Sequence, residues 1–141
     1  MFLFDVNIYV HAHRKDSPHH EICAGFLTDQ LEKNHPAGYS PLALSGFIRV
    51  ATHPKIFNPP SSISKALDFC ESVTELSNSV PVLPGKAHWR IFTHLLREYQ
   101  GKGNLVPDVW FAALAAEHGC TWVTTDRDYS RFEGLKTHFL P

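Results

Sequence analysis

The chain has 141 residues, of which 43% are hydrophobic and 19% are charged, and this composition excludes an intrinsically disordered protein. A length in this range predicts one domain, residues 1–141. The formal net charge of −1 provides no overall basic field, so any surface that binds nucleic acid must be local.

The first half of the chain alternates short apolar runs with amphipathic stretches. The apolar start of the chain predicts a buried strand that ends at Asp5. Ser17 followed by Pro18 is typical of a helix start, with serine as N-cap and proline at the first helical position. The predicted elements of this half are, in order, a strand at 2–4, helices at 6–13 and 18–33, a strand at 37–40 and a helix at 41–52.

The second half continues the alternation. Apolar residues recur at helical spacing from Ile63 to Val73, and Gly119 is a typical residue just beyond a helix end. Apolar strands that alternate with helices predict an α/β fold in which helices cover both faces of a parallel sheet. The predicted elements of this half are a helix at 62–77, a strand at 80–83, helices at 88–99 and 107–118, and strands at 120–125 and 136–140.

The chain carries three widely spaced cysteines and ten histidines. No CxxC pair occurs, so the cysteines are predicted to be free thiols in a reducing compartment. The histidines lack the paired spacing of zinc sites and are expected to be exposed or locally hydrogen-bonded. No basic leader precedes Asp5, and no apolar run reaches the roughly 20 residues that a membrane span needs, so we expect a cytoplasmic protein.

Three aspartates are predicted to lie at one edge of the sheet, each beside the end of a strand or the start of a helix. Asp5 and Asp126 each follow a strand, and Asp108 lies in the first turn of a helix. Because the carboxyl ends of parallel strands meet at one edge, these side chains are expected to share a crevice. Like charges raise one another's pKa, and a bound Mg²⁺ or Mn²⁺ removes that repulsion. Asp108 and Asp126 also have local alternatives, as a first-turn helix residue and an N-cap, whereas Asp5 has none.

Four stretches of sequence carry a family resemblance: residues 4–7 (FDVN), 45–50 (SGFIRV), 106–115 (VPDVWFAALA) and 124–129 (TTDRDY). In this order they resemble the PIN-domain endoribonucleases, most closely the VapC toxins of bacterial toxin–antitoxin pairs. The resemblance implies a three-layer α/β/α sandwich with a short, mostly parallel central sheet. It also implies an Mg²⁺-dependent ribonuclease, with Mn²⁺ as a possible substitute, that forms a homodimer and is held inactive by a cognate antitoxin protein.

The resemblance also implies roles for individual residues. Asp5, Asp108 and Asp126 match the acids that bind the metal and carry catalysis, and Asp128 matches a further acid at the rim. A metal-activated water would then hydrolyse the RNA phosphodiester, so that no serine or cysteine nucleophile is needed.

One departure from the family pattern concerns the helix after the second strand. The family usually has an acid there, most often glutamate, but residues 40–52 contain no carboxylate. Three alternatives stay open. Ser45 and a water could fill that corner, three acids could suffice, or the chain could be a degenerate module that binds RNA or metal with little or no nuclease activity.

Candidate contacts to RNA are local basic residues near the expected active edge. Arg49 and Arg127 are the main candidates, followed by Lys55 and Arg131, and Tyr129 could stack on a base. Single-stranded or loop RNA is favoured because its bases can be reached.

The sequence also permits two other interpretations, a partner-binding surface and a phospho-acceptor domain. The apolar faces of helices 18–33 and 62–77, together with Phe57 and Trp110, could receive a partner segment or a second copy of the chain. A phospho-acceptor domain also binds Mg²⁺ with carboxylates at strand ends. Such a domain needs a second acid near the first strand, where this chain has Asn7.

Overall fold

The computed structural model describes all 141 residues and contains every element that the sequence predicts, with shifts of up to three residues at the ends. A short 3₁₀ helix, Arg127–Arg131, is an additional element. The strands are β1 (Phe2–Phe4), β2 (Ala37–Tyr39), β3 (Ser79–Pro81), β4 (Thr121–Thr124) and β5 (Thr137–Phe139). The α-helices are α1 (Val6–His13), α2 (His20–Glu32), α3 (Pro41–Ala51), α4 (Ile63–Thr74), α5 (His88–Glu98) and α6 (Leu105–Glu117).

All strand pairs are parallel, which confirms the predicted parallel sheet. The hydrogen-bonded strands form two groups, one in the order β1-β4-β5 and the other a β2-β3 pair. In the first group Phe4 is opposite Val123, so the ends of β1 and β4 lie side by side. β2 lies next to β1 because residue 38 is glycine. A Cβ at Gly38 would stand 2.9 Å from the backbone oxygen of Phe2.

Helices on both sides of the sheet complete the α/β/α arrangement. Helices α5 and α6 pack against each other, α1 packs against α2 and α3, and α3 packs against α4. Ala112, Ala113 and Ala115 of α6 are buried, and their small side chains let this helix approach its neighbours closely. Trp122 of β4 is completely buried, and full burial of a large apolar side chain stabilises a fold by roughly 1.5–3 kcal/mol.

The start of α2 differs from the prediction. The Ser17 side-chain oxygen accepts a hydrogen bond of 3.1 Å from the amide of His19, two residues on, and shares one of 2.7 Å with His11 Nδ1. Serine therefore closes a turn, and the helix begins only at His20. Ser40 and Ser62 do act as N-caps, for α3 and α4, because each accepts from the amide three residues on.

All three cysteines are free thiols, and two of them are buried. None of the six helices combines the length and apolar character that crossing a membrane requires.

Candidate metal centre

Asp5 lies where β1 ends and α1 begins. Its amide donates a hydrogen bond of 2.9 Å to the carbonyl oxygen of Val123, which fixes the backbone against β4. Asp5 occupies the N-cap position of α1, but its side chain makes no capping hydrogen bond. The carboxylate instead turns toward β4, where it is 8% exposed. The local helix therefore does not account for this buried charge.

Thr124 and Asn7 hold the Asp5 carboxylate in place. Both donate to Asp5 Oδ2, the Thr124 hydroxyl at 2.6 Å and the Asn7 amide nitrogen at 3.2 Å. The Thr124 hydroxyl oxygen also accepts a bond of 3.0 Å from the amide of Asp126, so a single buried threonine connects two of the predicted acids. Neither residue was predicted to have a role, although Asn7 ends the FDVN stretch and Thr124 begins the TTDRDY stretch.

Asp126 and Asp108 each have one oxygen engaged by a neighbour. Asp126 Oδ1 accepts 2.9 Å from the amide of Asp128 and so caps the 3₁₀ helix, as the structural alternative for this residue predicted. Asp108 lies in the first turn of α6, and its Oδ1 accepts 3.3 Å from the hydroxyl of Tyr129. In both carboxylates the other oxygen makes no hydrogen bond to the protein.

The three aspartates line a common cleft of ≈ 450 Å³, which we call the acid cleft. Asp5 is more than a hundred residues away in sequence from the other two, and the parallel pairing of β1 with β4 brings Asp5 and Asp126 to the same edge. The lining contains no lysine and no arginine. Its other residues are Val6, Asn7, Val10, His11, Val50, Ile56 and Phe57.

The electrostatics of the acid cleft disfavour ionised carboxylates. Burial raises the pKa of Asp5 from 3.8 to about 6, and the hydrogen bond from Thr124 opposes that rise. The neighbouring charges of Asp108 and Asp126 add smaller increases. Burial also raises the pKa of Asp108, against the hydrogen bond from Tyr129. A cation placed among these groups would reverse the effect, because it favours the ionised forms.

The donor set fits a hydrated hard cation. No three His, Cys, Asp or Glu side chains lie close enough to form a complete ligand cluster by themselves. Mg²⁺ does not need such a cluster, since it usually keeps several waters and binds one or two carboxylates directly. Asp5 Oδ1 receives no side-chain hydrogen bond, and Asp108 and Asp126 each offer a free oxygen. The ligands available are therefore carboxylate oxygens, the type that Mg²⁺ and Mn²⁺ prefer.

The structure contradicts the stacking role suggested for Tyr129 and one of the three alternatives for the missing acid. Tyr129 is 2% exposed and packs beneath the site, so it cannot stack on an RNA base. Ser45 does not fill the corner of the missing acid, because it lines a separate depression between α3 and α4. The one residue of α3 that lines the acid cleft is Val50.

The basic residues singled out in the sequence lie outside the acid cleft. Arg49 lines the same separate depression as Ser45. The guanidinium of Arg127 lies 4.8 Å above the ring centre of Phe139, and Lys55 is exposed. Arg131 forms an ion pair of 3.6 Å with Asp128. A role for any of them in binding nucleic acid stays a prediction.

Comparison with known proteins agrees with the resemblance seen in the sequence. The family model described as "PIN domain" matches residues 2–135. Ribonucleases VapC31 and VapC25 of Mycobacterium tuberculosis are 36% and 35% identical to the chain, and each alignment covers all of this chain and 99% of the relative.

Solved structures share the fold at lower sequence identity. The VapBC2 complex of Rickettsia felis, bound to a promoter DNA fragment, superposes with a TM-score of 0.68 at 18% identity, over 98% of this chain and 97% of the other. M. tuberculosis VapC20, described as a sarcin-ricin loop cleaving toxin, has a TM-score of 0.62 at 12% identity, over 92% and 93% of the two chains. The chain therefore belongs to the PIN-domain family, and its full-length relatives are VapC ribonucleases.

Proposed function

We propose that the protein is a divalent-metal-dependent endoribonuclease that hydrolyses RNA phosphodiesters and acts as the toxin of a toxin–antitoxin pair. The observation that carries the proposal is the convergence of Asp5, Asp108 and Asp126 on one cleft. The names of the relatives support the ribonuclease activity. The ordinary role of such a cleft is to hold a cation that neutralises repelling carboxylates and a phosphate.

Asp5 and Asp108 would hold the cation, which we propose to be Mg²⁺ with Mn²⁺ as a substitute. When bound, such an ion lowers the pKa of a coordinated water and stabilises negative charge on the scissile phosphate. Thr124 and Asn7 keep the Asp5 carboxylate oriented, because both donate to the same oxygen and leave the other one available. Positioning of this kind is what a metal site requires from residues around its ligands.

Asp126 would orient the attacking water, whereas Asp5 and Asp108 would hold the cation. One of its oxygens is fixed by the amide of Asp128, which leaves the other to accept a hydrogen bond from water in the cleft. The apolar side of the cleft, formed by residues such as Val50 and Phe57, limits the number of competing waters. The water is then held between a carboxylate acceptor and the phosphate.

A second candidate function is a PIN-fold module that binds RNA or metal with little or no nuclease activity. The observation that favours it is the missing acid, since residues 40–52 have no carboxylate and α3 contributes only Val50 to the cleft. The phospho-acceptor alternative receives no support from the family match.

Mapping of RNA ends separates nuclease from binding module. Purified protein is incubated with total RNA in Mg²⁺, in Mn²⁺ and in EDTA, and new ends are mapped by sequencing. The proposal expects discrete new ends with either metal, none in EDTA, and none with the variant Asp108→Asn. RNA that stays intact while it binds the protein would establish the inactive module instead.

Antitoxin binding and dimerisation are proposed from the relatives and from exposed apolar residues. The similar solved structures include VapBC complexes. On α4, Ile63 and Leu67 are 58% and 45% exposed, four residues apart on one face, and the neighbouring depression between α3 and α4 is partly apolar. We propose that a cognate antitoxin covers apolar surface of this kind, in a cytoplasmic homodimer. Co-expression with the product of a neighbouring reading frame, followed by size-exclusion chromatography with light scattering, tests both statements.

A further inference from the structure

A second depression, of ≈ 780 Å³, lies beside the acid cleft and has the opposite charge. We call it the basic cavity. Three of its lining residues carry permanent positive charge, and only one is acidic, in a protein whose formal net charge is −1. The residues that matter here are His13, Arg14, Lys15, Ser61, Lys65 and the acid Asp68.

The basic cavity and the acid cleft share two walls. Asp5 at the N-cap of α1 and His11 within α1 line the acid cleft, and residues 13–15, where α1 ends, line the basic cavity. The segment after α3 also lines both depressions, because Phe57 lines the acid cleft and residues 59–62 line the basic cavity. The Arg14 guanidinium lies 4.3 Å above the ring centre of Phe57 and so marks the boundary between the two depressions.

The two lysines are the cations that remain free to bind a ligand. Arg14 is already engaged, by Asp16 at 2.7 and 2.9 Å and by the Ser61 hydroxyl at 3.2 Å. Lys15 and Lys65 are exposed and form no ion pair. Burial lowers the pKa of His13, and the neighbouring positive charges of Arg14 and Lys65 lower it further. The N-terminus of α4 adds a partial positive charge beside Lys65.

A polyanionic substrate requires positive charge outside the acid cleft. The acid cleft presents three carboxylates and no lysine or arginine. A cation in the cleft can neutralise the phosphate that reacts, but the phosphates next to it along the strand require other positive groups. A cavity that shares two walls with the cleft is in a suitable place to supply them.

We propose that the basic cavity binds the phosphodiester backbone of the RNA strand that occupies the acid cleft, with Lys15 and Lys65 each contacting a phosphate. The inference rests on the proposed ribonuclease function and adds the surface that holds the substrate. Contacts to phosphate fix the strand without reading bases, so the basic cavity contributes affinity for RNA of any sequence.

Salt-dependent binding tests the proposal. A fluorescently labelled single-stranded RNA is titrated with the full-length protein in EDTA, and anisotropy gives Kd over a series of NaCl concentrations. The double variant Lys15→Gln/Lys65→Gln is compared with wild type and with a control, Lys86→Gln/Lys102→Gln, in which two exposed lysines elsewhere are changed.

The expected result is a smaller salt dependence for the cavity variant alone. Each phosphate contact to a single strand contributes about 0.7 to the slope of log Kd against log salt, so the loss of two contacts should reduce the slope by about 1.4. The affinity should fall for RNAs of different sequence alike. Asp68→Asn, which removes the one acid of the cavity, should bind RNA more tightly than wild type.

Three results would overturn the proposal. The first is an unchanged slope and Kd for the cavity variant, and the second is wild-type protein that binds no RNA. The third is a cavity variant that loses affinity for polyglutamate but not for RNA, which would assign the cavity to an acidic protein segment.

A parallel cleavage assay with Asp5→Asn keeps the two proposals distinguishable. If that variant is inactive while the cavity variant binds RNA normally, only the inference about the basic cavity fails. If Asp5→Asn cleaves like wild type while the cavity variant loses RNA affinity, only the proposed catalytic site fails.

Discussion

Replacement of Asp5 by asparagine should stabilise the metal-free protein near neutral pH. Asparagine has nearly the same shape and can still accept the hydrogen bond from Thr124, but it carries no charge to bury. Burial raises the pKa of Asp5 from 3.8 to about 6 in the folded state. A difference of about two pKa units corresponds to about 3 kcal/mol at 1.36 kcal/mol per unit. Above pH 6 the folded wild-type protein is destabilised by this amount, and the variant is not.

The effect has a defined pH dependence. Between pH 3.8 and about 6 the folded state binds more protons at Asp5 than the unfolded state, so the stability of the wild type decreases as pH rises through this window. Above and below this pH window, the contribution of Asp5 to the free energy of unfolding does not change with pH. The variant should therefore exceed the wild type by about 3 kcal/mol at pH 7.5 and match it below pH 3.8.

Urea denaturation in EDTA, followed by circular dichroism at several pH values, measures the difference. Asp68→Asn serves as the control because Asp68 is exposed and makes no hydrogen bond or ion pair within the protein. Addition of Mg²⁺ at pH 7.5 should stabilise the wild type and the control, but not Asp5→Asn. A variant that is no more stable than wild type in EDTA at pH 7.5 would refute the assignment of Asp5 as a carboxylate whose buried charge destabilises the metal-free protein.

Three further substitutions test the surroundings of the site by the same denaturation measurement. Thr124→Val removes the hydroxyl bonded to Asp5 and should cost about 1–3 kcal/mol; equal losses in Thr124→Ser would show that the hydroxyl is not responsible. Tyr129→Phe keeps the buried ring but removes the donor to Asp108, so it should cost about 0.5–1.5 kcal/mol, whereas no loss would mean that this hydrogen bond is not stabilising. Gly38→Ala places a Cβ 2.9 Å from a backbone oxygen of β1 and should cost about 1–3 kcal/mol, and a neutral effect would show that β2 can move away freely.

Local sequence signals predicted the strands and helices of the fold. The helices predicted at 41–52 and 62–77 are present with small shifts at their ends, and in the structure Ser40 and Ser62 cap them by accepting hydrogen bonds from the amides three residues on. The start of α2 was predicted less well, because Ser17 can bond several partners and its hydroxyl is used by His11 and His19. Which partner a short polar side chain chooses depends on what the tertiary structure places within reach.

The roles of the residues around the three aspartates could not be predicted from local sequence signals. Thr124 looked like an ordinary strand residue, and only the parallel pairing of β1 with β4 puts its hydroxyl 2.6 Å from Asp5. From the sequence, Tyr129 was a candidate for stacking on an RNA base. Its ring is buried against Trp122 and Phe132, which converts a surface candidate into support for Asp108.

The sequence by itself determined the alternation of strands and helices, the family resemblance and the three aspartates, because these depend on periodicity and on residue type. Only the tertiary structure decided which groups surround those aspartates. It brings Thr124 and Asn7 to Asp5, leaves Arg49 in another depression, and places Lys15 and Lys65 together in a cavity beside the acids. The physical reason is that strand pairing and helix packing bring together residues far apart in sequence, and no local pattern records that proximity.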